Sequence, residues 1–198
     1  MDDKNSTSAK AQITTALKLM GLPIIGDENF ENTPARWQKY LLSYMQSYNP
    51  ENDLGVTFPA ARKAEGIYDR AMVVQVGIPF RACCAHHLLP VLGQAHVGYI
   101  PKDRVVGLSK LARIVYGISH RMPSLQEDVC DEITEALMKY LLPVGAMCVI
   151  SCEHSCMAAR GVEEATGCVQ TVTSSIKGIF QENYEAREEF YHLIARGT

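Results

Sequence analysis

The sequence predicts an α+β fold: an antiparallel four-stranded sheet with two helices between its strand pairs, N-terminal helices and a C-terminal helix. Three observations carry this expectation. Apolar residues recur at helical spacing in five separate stretches. β-Branched and apolar runs come in two pairs, 71–80 with 94–100 and 146–156 with 168–176. Strands in hairpin pairs, with helices grouped on one face, belong to antiparallel sheets and not to the alternating order of parallel ones.

The elements follow in order. Asp2 to Ser8 is polar enough to read as a loose tail. Ile13, Leu17 and Met20 then mark a first helix that stops at Gly21-Leu22-Pro23. Thr33 followed by Pro34 resembles an N-cap and first-turn proline, and Trp37, Leu41, Tyr44 and Met45 form the stripe of a second helix. After the first strand pair, Leu108, Leu111, Ala112, Val115 and Ile118 give a third helix, and Val129, Ile133, Leu137 and Tyr140 a fourth. The closing helix spans Tyr184 to Ala195, with Tyr184, Phe190 and Leu193 turned inward. We read one structural unit, comprising an N-terminal helical segment (1–66) and a sheet-bearing domain (67–198). The two sheet edges are expected to be covered by subunit association.

Composition excludes several function classes. Hydrophobic residues make up 47% and charged residues 21% of 198, the balance of a folded globular protein. A net charge of -3 offers no basis for nucleic-acid or membrane-surface binding, so any anion site must be local. The N-terminus has neither basic nor apolar signal character, and a cytoplasmic location is expected. Seven cysteines, an odd number without a secretion signal, favour reduced thiols and metal ligands over disulfides.

Two dense clusters hold the metal-ligating residue types. Cys84 and His87 stand three residues apart, a spacing that a turn can fold onto one ion. In the second cluster, Cys152-Glu153-His154-Ser155-Cys156, even-numbered side chains share a face if the strand runs on, so that His154 and Cys156 point together. Cys84, His87 and Cys156 would hold zinc with a fourth position open for water. With Cys152 as fourth ligand the same residues make a closed structural site, and spacing alone weighs the two about equally. Buried cysteines and ordinary histidines are the bland alternative, which two such clusters disfavour. Cys83, Cys130, Cys148 and Cys168 show no partner spacing and are read as structural.

Gly107-Leu108-Ser109-Lys110, with Arg113 one turn on, could turn amides, a hydroxyl and two cations toward one anion. An ordinary capped amphipathic helix with solvated basic residues is the stronger reading of that stretch by itself. Arg160 adds a cation near the second cluster in sequence. Gln126-Glu127 opens the fourth helix, where a carboxylate favours the helix dipole. That bland reading is strong; the functional alternative is that the carboxylate accepts the two adjacent N–H groups of a guanine edge.

The run Cys84-Ala85-His86-His87-Leu88-Leu89-Pro90, then Gly93, Tyr99-Ile100-Pro101 and Gly107 through Val115, resembles the GTP cyclohydrolase I family, as does His154-Ser155-Cys156-Met157 followed by Arg160-Gly161-Val162. The likeness extends from about Thr33-Pro34-Ala35-Arg36 to the last helix. It implies the tunnelling fold, a homodecamer with active sites between subunits, and zinc held by Cys84, His87 and Cys156. It further implies proton transfer by His86 and His154, guanine recognition by Gln126 and Glu127, and triphosphate binding by Ser109, Lys110, Arg113, Arg160 and Arg36. The implied reaction is hydrolytic opening of GTP with loss of formate and re-closure to 7,8-dihydroneopterin triphosphate, the entry to pterin biosynthesis. One departure stands out: Ala85 replaces the glutamate usual after the first zinc cysteine, with Glu153 a candidate replacement by proximity in sequence. Two further readings follow from it, a homologue that stops at a ring-opened or formylated intermediate and a zinc-stabilised homologue without catalysis.

Overall fold

The computed structural model describes residues 3–60, 71–160 and 169–197. The expected boundary at 66/67, and Gly161, Val162 and Cys168, lie outside them. The chain forms two compact units, Met1–Met45 and Gln46–Thr198. The first contains α1 (Asp3–Leu19) and α2 (Thr33–Leu42), which pack together. Helix α1 starts at Asp3, so the polar stretch read as a tail is helical from Asp3 to Ser8. Its composition lacks an apolar stripe but contains no helix breaker. The α2 N-cap is Asn32, one residue earlier than expected, with Pro34 in the first turn.

The second unit begins with α3 (Glu51–Leu54) and β1 (Thr57–Pro59), followed by β2 (Val73–Cys83), β3 (Pro90–Ile100) and β4 (Arg104–Val106). Next come α4 (Leu108–Ser119), α5 (Gln126–Tyr140), β5 (Gly145–His154), α6 (Ser155–Ala158), β6 (Thr171–Gly178), α7 (Ile179–Glu182) and α8 (Tyr184–Gly197). Among the described residues β2-β3-β5-β6 form an antiparallel four-stranded sheet, and β1 pairs with β4 in a small second one. The α+β class and the hairpin pairing match the expectation. The small sheet was not legible, because three-residue strands carry no period.

Alternation sorts the sheet faces. Val91, Ala95, Val97 and Tyr99 of β3, with Ala146, Cys148, Ile150 and Cys152 of β5, are buried beneath α4 and α5. Leu111, Ile114, Val115 and Ile118 meet them from α4, and Ile133 and Leu137 from α5. Among the described residues the opposite face is covered at one end, where Met147, Val149, Phe180 and Phe190 form a second cluster. Helices therefore lie on both faces, contrary to the one-face expectation, because Phe190 of α8 packs over Gly98 where a side chain would collide. Tyr184, expected inward, is 64% exposed. The other end of that face is a polar hollow of about 390 Å³ lined by Leu92, Gly93, Gln94, His96, Ser151, Glu153 and Gln170. In β2 a bulge between Gln75 and Ile78 is absorbed by Gly77 at φ 68°, a left-handed conformation that costs glycine little. No helix among the described residues is long and apolar enough to cross a membrane.

Candidate metal centre and its neighbours

The register of β3 assembles the site. Its first residue, Pro90, pairs with Cys83 at the end of β2 on one side, and its second, Val91, pairs with His154 at the end of β5 on the other. Cys84 and Cys156 lie just beyond those ends, so two thiols 72 positions apart come within 3.9 Å, Sγ to Sγ. The β2–β3 connection turns tightly: Leu88 N–H donates to Cys84 O and Cys84 N–H to Leu89 O, each at 2.9 Å, with Leu88 at φ 52°. This curl brings His87 Nδ1 to 3.8 Å from Cys84 Sγ.

Strand β5 does not run on through Cys156. It ends at His154, and Cys156 sits on the single helical turn α6. The period-2 argument therefore does not place Cys156. It does place Cys152 and His154 on the helix-covered face, and it sends Glu153 to the polar hollow on the other face. Glu153 is thus no replacement for a carboxylate beside Cys84.

Cys84, His87 and Cys156 form a group whose ligand atoms all lie within 4.8 Å of one another. Donors at ordinary zinc distances on a tetrahedral ion stand about 3.8 Å apart for two thiolates and about 3.6 Å for thiolate and imidazole. The separations of 3.9 Å between the thiols and 3.8 Å between Cys84 and His87 are close to these values, and His87 and Cys156 would have to close from within 4.8 Å to complete such a set. Burial foremost, with the Cys84 thiol second, pushes the Cys156 thiol up from its ordinary value, and a cation between the thiols reverses that balance. Cys152 is outside the group. Its Sγ rests over Gly93, and burial pushes its thiol up to about 12, so it stays a neutral thiol.

The α5 entry is pinned to the same corner: Ser124 N–H donates to Cys83 O at 3.0 Å, and Ser124 bridges Cys84. Gln126 follows, buried, with its side-chain Oε1 2.8 Å from His154 Nε2. Glu127 and His86 are exposed. Arg160, also exposed, donates from Nε to Cys156 O at 3.0 Å.

Of the residues expected to bind an anion, Lys110 and Arg113 come together around Asp53. Lys110 Nζ lies 2.9 Å and Arg113 3.6 Å from the Asp53 carboxylate, which also accepts from Tyr48 at 3.1 Å. Ser109 is exposed on the first turn of α4 and does not cap it, since Gly107 is the N-cap. Arg36 is exposed on α2 in the first unit. Asp53 was invisible to sequence reasoning, because 57 positions separate it from Lys110 and no motif links them.

Burial pushes the Asp53 carboxyl up, but the hydrogen bonds from Lys110 and Tyr48 and the charges of Lys110 and Arg113 outweigh it and hold it below its ordinary value. A depressed carboxyl contributes stability above its unfolded value of about 3.9 and loses it as pH falls toward the folded one. Asp53→Asn is accordingly expected to cost about 2 kcal/mol near neutrality. That difference should shrink to nothing in acid, as read by urea unfolding of both proteins across pH.

Fold and site together define a class: an α+β protein with a thiol–imidazole group that could hold one metal ion, beside a bonded glutamine–histidine pair whose glutamine is buried. The chain matches the family description GTP cyclohydrolase I over residues 9–195. It is 39% identical over 191 residues to GTP cyclohydrolase 1 of Pelotomaculum thermopropionicum, covering 92% of this chain and 95% of that one. It is 39% identical over 192 residues to the protein of that name from Desulforamulus reducens, at 93% and 97% coverage. Against that of Dictyostelium discoideum it is 37% identical over 170 residues, at 84% and 69% coverage. The chain belongs to the GTP cyclohydrolase I family.

Proposed function

We propose that this protein hydrolyses GTP to 7,8-dihydroneopterin triphosphate and formate, with zinc held by Cys84, His87 and Cys156. The convergence of these three side chains at the strand ends, next to His154, is the observation that carries the reading. Bound zinc would supply Lewis acidity, making a water nucleophilic near neutral pH.

The chain's own residues would do the rest. Glu127, exposed on the first turn of α5, offers an acceptor-only carboxylate to two adjacent N–H groups of the guanine edge. Ser109, Lys110, Arg113, Arg160 and Arg36 would bind the triphosphate, with Lys110 and Arg113 exchanging part of their contact with Asp53 for phosphate oxygens. His86 and His154 would carry protons to and from the purine as water adds to the carbon between its two imidazole-ring nitrogens. That ring opens, a second water releases the carbon as formate, and the ribose, still attached through the other former ring nitrogen and rearranged to a ketone, condenses with the one freed amine with loss of water. The outer strands β2 and β6 leave two edges, which neighbouring copies would cover in a tunnelling-fold homodecamer with sites between subunits.

Family membership favours the complete reaction over the truncated and inactive readings that Ala85 suggested. Incubation with GTP and zinc should yield equimolar formate and a pterin that fluoresces after oxidation. Formate or formylated product without pterin would mean a truncated reaction, and the absence of both would refute the proposal. Cys152→Ser should keep the metal stoichiometry and most of the turnover while losing about 1–2 kcal/mol of stability, since the new hydroxyl is buried without an arranged partner. Metal analysis and denaturant unfolding check this.

A further inference from the structure

The Gln126 amide is held in an orientation that chemistry alone determines. Its Nε2 faces the backbone oxygens of Ile150 and Thr171, each at 3.0 Å, and Thr173 Oγ1 at 3.1 Å. Carbonyl oxygens only accept, so the group that meets them must be the NH2 and not the oxygen. The reversed amide would set oxygen against two carbonyl oxygens at a position only 5% exposed, a costly arrangement. Gln126 Oε1 is thereby aimed at His154 Nε2, 2.8 Å away.

An amide oxygen also only accepts, so His154 Nε2 must carry a hydrogen to bond it. In the neutral imidazole the other nitrogen, Nδ1, is then bare. Turning the ring over would put a C–H against Oε1 and lose the bond, so ring orientation is selected along with the tautomer. The same bonds leave the Gln126 side chain no N–H for a ligand: two hydrogens already face three acceptors. Reading guanine with this side chain, as the resemblance implies, therefore conflicts with its bonding here.

We propose that Gln126 is a positioning residue that locks His154 in the Nε2–H tautomer, so that Nδ1 is the nitrogen that exchanges protons with the substrate. The anchor consists of β5 and β6 backbone and Thr173. It makes the sheet itself the reference for the ring, which a flexible surface partner could not provide. The assignment of proton transfer to His154 rests on the proposed function, whereas the tautomer does not.

The test is the 15N spectrum of zinc-loaded protein with labelled histidine, the His154 signals being those missing from His154→Gln. A protonated Nε2 and an unprotonated Nδ1 are expected in the neutral ring. The reverse pattern, or an even mixture, would overturn the proposal even if Gln126→Leu fails to fold. Gln126→Leu should mix the tautomers and lower kcat about tenfold to a hundredfold, with KM and zinc content nearly unchanged. An unaltered spectrum in that variant would equally overturn it. If the wild type fails to turn over GTP while the spectrum shows the expected pattern, the proposed function fails and the lock stands.

Discussion

His87→Ser is expected to remove both bound metal and turnover while leaving the fold intact. His87 supplies one of three donor atoms, and its Nδ1 reaches the ion position only because the turn after Cys84 curls back on itself. A serine hydroxyl is shorter and a poorer ligand for zinc than imidazole. Each ligand in a protein zinc site contributes about 3–4 kcal/mol, so affinity should fall some hundred- to thousandfold. The side chain is exposed at the tip of the β2–β3 connection, outside the buried core, so unfolding of the metal-free protein should match the wild type within about 0.5 kcal/mol. Metal analysis after gel filtration, with circular dichroism as the fold control, reads the outcome. A full equivalent of zinc retained by the variant would remove His87 from the ligand set.

Gly93→Ala should be the most damaging single methyl in the sheet. A Cβ at Gly93 would stand 2.0 Å from Ser151 O, 2.7 Å from Cys152 Cα and 2.8 Å from Cys152 Sγ. Two of these neighbours are backbone of the paired strand and cannot swing aside. Relief requires β3 and β5 to separate around the Gly93–Cys152 pair, two residues from the Val91–His154 pair that sets the metal corner. A loss of about 3 kcal/mol or more is expected, together with weaker metal retention, since Cys156 is positioned by the end of β5. Denaturant unfolding and zinc content of the variant check both parts. A variant within about 1 kcal/mol of the wild type would show that the strands yield more easily than this spacing implies.

The long elements were legible because their signal is local. Helices α4 and α5 carry apolar residues every third or fourth position, and most of them, Leu111, Val115, Ile118, Val129, Ile133 and Leu137, are buried on the sheet, whereas Leu108 at the start of α4 is exposed. Shorter features escaped for the same reason. One turn of helix at α6 has no period, and a polar N-terminal stretch reads alike as coil or exposed helix until its backbone is seen. Tyr184 failed because helical spacing names a face without saying where the partner surface ends, and this residue lies beyond it.

For the site the division is sharper. Residue types and spacing were enough to nominate Cys84, His87 and Cys156 as ligands, and resemblance chose them over a closed four-ligand set, because ligand chemistry is a property of side-chain identity. Sequence also determined the class of fold, since strand pairs and helix stripes are written in short-range pattern. The tertiary structure alone decided that Asp53 meets Lys110 and Arg113, that Glu153 faces away from the metal corner, and that Gln126 is bonded to His154 and to the β5 and β6 backbone. These facts depend on which strands neighbour one another and in what register. Register is set by the packing of the whole sheet against α4 and α5, a sum over contacts between residues far apart in the chain.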